Sequence, residues 1–164
     1  MFREGDGEER STSGGIYDRM VKQIPVPNAL NKPFWDALNE HKLVLQNCKG
    51  CNKLQYPPAE SCRLCNAKEF EWKQVEGKGH ILEYFVIRDS RIKRMQPDQP
   101  HNMALITLDE DPAINFLSNL PGTPIGEVPI GGAVDLIFEP IVPIENLDPA
   151  CNPNQLIHEW VVRK

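Results

Sequence analysis

CKGCNKLQYPPAESCRLC, residues 48–65, holds four of the chain's five cysteines in two Cys-x-x-Cys pairs ten residues apart. A Cys-x-x-Cys turn directs both sulfurs to one side of a tight knuckle, and two knuckles complete a tetrahedron of thiolates. Asn52 and Asn66 each follow a pair, and Asn tolerates the left-handed conformation such turns often require. Gly50 adds similar freedom inside the first knuckle. Two disulfides are the alternative, but no secretory signal precedes them and disulfides leave the twin spacing unexplained. The reading is zinc held by Cys48, Cys51, Cys62 and Cys65. With thiolate at all four positions the site is closed, which makes it structural rather than catalytic. An iron centre of the rubredoxin type would use the same four sulfurs. Either metal couples binding to local folding, worth ~10–16 kcal/mol by analogy with zinc-finger peptides.

The chain has 164 residues, 40% hydrophobic and 25% charged, a size suited to one modest domain plus an appendage. No apolar run approaches the roughly 18 residues of a membrane-spanning helix, and the opening MFREGDGEER is unlike a secretory signal. A soluble, cytoplasmic protein is expected. A net charge of −5 argues against general attraction to nucleic acid or anionic membrane, while leaving room for a local patch. Cys151, in a Pro-rich loop with no His or Lys beside it, reads as a plain small residue rather than a nucleophile.

Outward from the cysteines, residues 1–15 are charged and then rich in Ser, Thr and Gly, and disorder is expected there. Residues 16–23 can form a short helix. Pro33 suits the start of a second helix of about ten residues, with Phe34, Ala37, Leu38 and His41 on one side and Trp35 off that stripe. KLVLQN, 42–47, is a strand entering the first knuckle. Gly77 and Gly79 interrupt a strand-like region before Ile81–Arg88. There, strict alternation sets Leu82, Tyr84 and Val86 on one face and Ile81, Phe85 and Ile87 on the other, around Glu83. Residues 89–102 read as a long loop. Further strands are expected at 103–108, 113–120, 133–138 and 157–162, five in all from Ile81, the number a small OB barrel needs. No helical crossover separates them, which argues against a parallel α/β fold. The fold class is therefore mainly β, with short amino-terminal helices, a four-Cys zinc ribbon and a five-stranded OB barrel. The expected organisation is an extension over 1–32, helix and ribbon over 33–72, and OB domain with tail over 73–164.

This order of parts resembles the family of OB-fold proteins with a rubredoxin-like zinc ribbon that accompany acyl-CoA enzymes. The matching stretches are PFWDALNEHKLVLQNCKGC at 33–51, PP at 57–58, CRLC at 62–65, GKGHILEYFVI at 77–87, NMALITLDEDPAINFLSNLPG at 102–122 and GGAVDLIFEP at 131–140. Asn52 and Arg63 depart from the Gly and Pro that relatives often carry, and neither change removes a ligand. The resemblance implies an auxiliary subunit without catalytic residues of its own, paired with a thiolase-fold enzyme: a thiolase, an acyltransferase or a retro-aldolase. Such a subunit scaffolds the complex and helps bind the CoA thioester. Degradation of aromatic rings or steroid side chains is the setting it suggests, with anaerobic toluene breakdown as one instance.

The residues themselves agree on the lack of a catalytic constellation, since His41, His80, His101 and His158 are scattered, with no nucleophile beside any of them. Arg88, Arg91, Lys93 and Arg94 are the candidate CoA contacts: four cations at the end of a strand, able to pair with phosphates, with a solvated loop in an otherwise acidic protein as the alternative reading. Two other classes compete. One is a single-stranded nucleic-acid-binding module, with Tyr84 and Phe85 as a stacking platform beside those cations. The other is a rubredoxin-like electron carrier or free-standing metalloenzyme.

Overall fold

Pro33 sits in the first turn of helix α1, Lys32–Asn39, in a computed structural model that describes residues 24–88, 91, 99–141 and 148–164. The expectations for 1–15 and 16–23 lie outside the described residues. Asn28 and Asn31 build the turn that enters the helix. The Asn28 side-chain oxygen accepts the N–H groups of Leu30 and Asn31, and the Asn31 oxygen accepts that of Asn28. Helix α1 is shorter than expected because His41 adopts a left-handed φ of 57°. The His41 and Lys42 N–H groups then turn back to the carbonyls of Leu38 and Ala37, and this cap ends the helix. Phe34 and Leu38 carry its buried side, and Trp35 packs edge-on against Phe34 with centroids 5.0 Å apart.

Three strands follow as one antiparallel sheet: β1 (Leu43–Cys48) lies between β2 (Leu54–Gln55) and β3 (Phe70–Val75). Gly77, at φ 71°, makes the sharp exit from this sheet; a Cβ there would lie 2.6 Å from that of Leu136. Gly79 does not break the next strand. It lies within β4 (Lys78–Ile87), where the backbone of Thr107 comes too close for any side chain.

The second sheet takes the order β6-β5-β4-β7-β8, all antiparallel, with β5 at His101–Leu108, β6 at Asn115–Ser118, β7 at Ala133–Pro140 and β8 at Leu156–Val162. These are the five expected strands of the OB barrel. Ala104, Ile106 and Leu108 alternate inward along β5 and meet Ile81, Phe116, Val134 and Trp160 in one buried core. The barrel is nearly closed, and Ser118 bridges the two end strands: its hydroxyl accepts the Trp160 N–H at 2.9 Å and lies 2.6 Å from a carboxylate oxygen of Glu159.

Strand β4 corrects the alternation expected for it. Ile81 pairs with Ile106 and Glu83 with Leu105, so Leu82 is an extra residue in a β-bulge. Ile81 therefore faces the core together with Tyr84 and Val86, while Leu82 joins Glu83, Phe85 and Ile87 on the outside.

Candidate metal centre

Each knuckle is built from the same two backbone hydrogen bonds. Cys48 N–H donates to Lys53 and Asn52 N–H to Cys48; Cys62 N–H donates to Ala67 and Asn66 N–H to Cys62. Asn52 and Asn66 take φ values of 54° and 60°, the left-handed conformation expected of them. Gly50 is required by close approach rather than by φ, since a Cβ would lie 2.9 Å from that of Ala67 and 3.3 Å from the Cys65 sulfur.

The four sulfurs lie within 4.8 Å of one another, with Cys48 to Cys65 at 3.5 Å and Cys51 to Cys62 at 3.7 Å. A disulfide would bring two sulfurs to about 2.05 Å. A tetrahedron of thiolates about 2.3 Å from a central ion has edges of roughly 3.7 Å, close to the Cys48–Cys65 and Cys51–Cys62 separations. The donor set thus fits a closed metal site.

The thiols differ in how readily they ionise. Backbone N–H groups of Cys65 and Leu64 point at the Cys62 sulfur and pull its thiol down to about 6. Burial, together with the crowding of Cys62, Cys65 and Cys48, pushes the Cys51 thiol up to about 12. A cation at the centre displaces the protons that crowding would otherwise retain.

Residues not singled out in the sequence hold the knuckles in place. Gln46 and Gln55, both buried, face each other across β1 and β2; the Gln46 side-chain oxygen accepts the Ala59 N–H at 2.9 Å, and that of Gln55 accepts the Arg63 N–H at 2.9 Å. Together they fix the segment between the cysteine pairs and aim the second knuckle. Asn47 does the same for the first, donating to the Asn52 side chain at 2.9 Å and to Glu71 at 3.0 Å. Polar residues within a strand next to a ligand were the available signal.

Tyr56, from the same inter-knuckle segment, ties ribbon to barrel. Its ring lies 4.4 Å from Phe116 and 5.5 Å from Phe34, and His158 packs edge-on against all three. Gln155 clamps the other side of α1, donating to the Trp35 carbonyl at 3.0 Å, while the Asn39 side-chain oxygen accepts the Leu156 N–H at 2.8 Å.

Elsewhere, His80 Nδ1 meets Asp109 at 2.5 Å on the surface. Thr107 is the cross-strand neighbour of His80, but its hydroxyl donates to Asn115, so the pair activates no nucleophile among the described residues. Arg88 and Arg91 are exposed at the end of β4, whereas Lys93 and Arg94 lie outside the described residues. No helix among the described residues is long and apolar enough to cross a membrane.

Two family models match adjoining stretches of this chain: the ChsH2 rubredoxin-like zinc ribbon domain over residues 35–71 and the ChsH2 C-terminal OB-fold domain over 72–139. The chain belongs to the ChsH2 family. A curated relative from Thermomonospora curvata, described as a probable enoyl-CoA hydratase alpha subunit, is 29% identical over 77% of this chain and 42% of its own length. The chain thus spans less than half of that relative. A DUF35 domain-containing scaffold protein of Pyrococcus furiosus is 24% identical over 66% of this chain and 77% of its own. Among solved structures, an Ltp2-ChsH2(DUF35) aldolase superposes with a TM-score of 0.67 at 23% identity, covering 84% of this chain and 98% of that one. A DUF35-family protein of unknown function from Sulfolobus solfataricus gives 0.51 at 19%, covering 67% and 78%. At these identities the structural likeness is one of fold.

Proposed function

We propose that this chain is a non-catalytic, zinc-containing auxiliary subunit of a thiolase-fold acyl-CoA enzyme, scaffolding the complex and helping to bind the CoA thioester. The observation that carries this reading is the aromatic junction at Tyr56, which packs the four-Cys ribbon against the OB barrel. Among the described residues the one hydroxyl bonded to a carboxylate, Ser118 with Glu159, is buried where the barrel closes. A body of this kind suits presentation of surfaces. The ChsH2 membership, a relative described as a scaffold protein and a neighbour described as an aldolase support a partnered role.

Within this reading Cys48, Cys51, Cys62 and Cys65 hold zinc, and Arg88, Arg91, Lys93 and Arg94 contribute to CoA phosphate binding. Breakdown of aromatic or steroid side-chain acyl groups is the setting. The nucleic-acid alternative loses its platform, because Tyr84 and Phe85 point to opposite sides of β4.

The test is a native pull-down of the tagged chain from its source organism, with mass identification of co-purifying proteins and a metal count. A thiolase-fold partner with one zinc per chain is the expected result. Recovery of the chain alone or with nucleic acid overturns the reading, and recovery of a hydratase moves the scaffold to that chemistry.

A further inference from the structure

The four sulfurs of the metal centre are not equally covered. Cys48 and Cys62 are buried and Cys51 is half-buried, whereas Cys65, at the end of the second knuckle, is exposed. Gly50 contributes to that opening. A Cβ there would lie 3.3 Å from the Cys65 sulfur and 3.6 Å from that of Cys48, so any side chain would begin over the edge these two sulfurs share. Glycine puts nothing over that edge.

The opposite edge is different. Cys51 and Cys62 lie 3.7 Å apart, but Cys62 is buried and its sulfur accepts the N–H groups of Cys65 and Leu64, which engage its lone pairs. A metal-held thiolate remains a nucleophile, and its susceptibility to oxidation follows its exposure. Cys65 is thus the sulfur that an oxidant in solution meets first, and a second thiolate, Cys48, stands 3.5 Å from it. Bonding the two needs a contraction of roughly 1.5 Å, to about 2.05 Å. Cys48 is fixed at the end of β1, while residues 63–66 are all exposed, so the second knuckle is the side free to move.

We propose that Cys65 is an oxidation site, which reacts first with hydrogen peroxide and is then joined by Cys48 in a disulfide that opens the metal centre. This rests on the reading that the four cysteines hold a metal. The Cys65 thiolate attacks one peroxide oxygen, forming an S–O bond and breaking the O–O bond, and the departing hydroxide takes a proton to become water. The Cys48 thiolate then attacks the Cys65 sulfur, forming the S–S bond and expelling the second oxygen as hydroxide, which is protonated in turn. The two thiolates together lose two electrons, and one peroxide becomes two waters. Cys51 and Cys62 alone do not complete a four-coordinate site.

The experiment uses the full-length chain after its metal has been counted. Hydrogen peroxide is added, release of the ion is followed with a chromogenic chelator, and linkages are mapped by proteolysis and mass spectrometry without reductant. Stoichiometric release with a Cys48–Cys65 disulfide is expected, both reversed by a thiol reductant and added zinc. Cys65→His keeps a fourth donor that zinc accepts and should release the ion at least about tenfold more slowly, whereas Cys51→His should release it as the wild type does. Limiting iodoacetamide on the wild type needs no variant: among the four ligands, Cys65 should be labelled first. A chain that carries no metal before peroxide defeats the metal reading itself. Metal that is present but retained under peroxide, released through any other linkage, or released equally fast from Cys65→His overturns the assignment of Cys65 while the metal reading stands.

Discussion

Asn52 and Asn66 occupy the same position in the two knuckles, each left-handed and each donating its N–H to the carbonyl of the cysteine four residues earlier, but their side chains differ in what they hold. The Asn52 oxygen accepts the buried Asn47 amide at 2.9 Å, whereas no such side-chain bond ties Asn66 among the described residues. Glycine relieves left-handed strain at either site. Asn66→Gly should therefore be neutral or stabilising by up to about 1 kcal/mol, and Asn52→Gly should lose that gain with the Asn47 bond. Urea unfolding of the two metal-loaded variants reads the asymmetry.

Barrel closure depends on Ser118. Its hydroxyl serves both the Trp160 N–H and Glu159, in a place where all three residues are buried. Ser118→Ala removes that partner from two buried polar groups, so a loss of about 1–3 kcal/mol is expected in denaturant unfolding. Hydrogen exchange should localise the effect to β6 and β8.

Removing the metal should act on the ribbon first. Cys62→Ser takes away a ligand whose sulfur accepts the Leu64 N–H at 3.4 Å, and with it the constraint on the second knuckle. Metal content should fall from one ion per chain to well below one. Amides from Cys48 to Ala67 should then exchange rapidly, while those of β4 and β5, buried in the barrel's own core, stay protected. Simultaneous loss of both sets would show that the barrel cannot stand without the ribbon.

The metal site was legible because its ligands are close in sequence and each knuckle carries its own punctuation, a left-handed Asn after every pair. The barrel strands were legible where alternation ran unbroken, as in β5. Leu82 was misplaced because a period of two assumes that no residue is inserted, and a bulge becomes visible only against the pairing of Ile81 with Ile106 and Glu83 with Leu105. Gln46 and Gln55 look like surface polar residues until the register sets them opposite each other. The closure at Ser118 and Trp160 joins residues 42 apart in sequence, and no local pattern encodes it.

Tyr56 provides a titratable probe of the junction between ribbon and barrel. Burial among Phe34, Phe116 and His158 pushes its phenol from 10 up to about 12. Between those two values the unfolded chain releases the proton while the folded chain keeps it, so unfolding is favoured as pH rises. Stability should be unaffected below pH 10, decline through that window by about 3 kcal/mol, and level off above it. Tyr56→Phe keeps the ring packing and removes the proton. It should match the wild type at pH 7 and lose this part of the alkaline decline, measured as unfolding midpoints in urea from pH 9 upward. An equally steep decline in both proteins would mean that the ring is hydrated in solution and that ribbon and barrel are not locked together at this point.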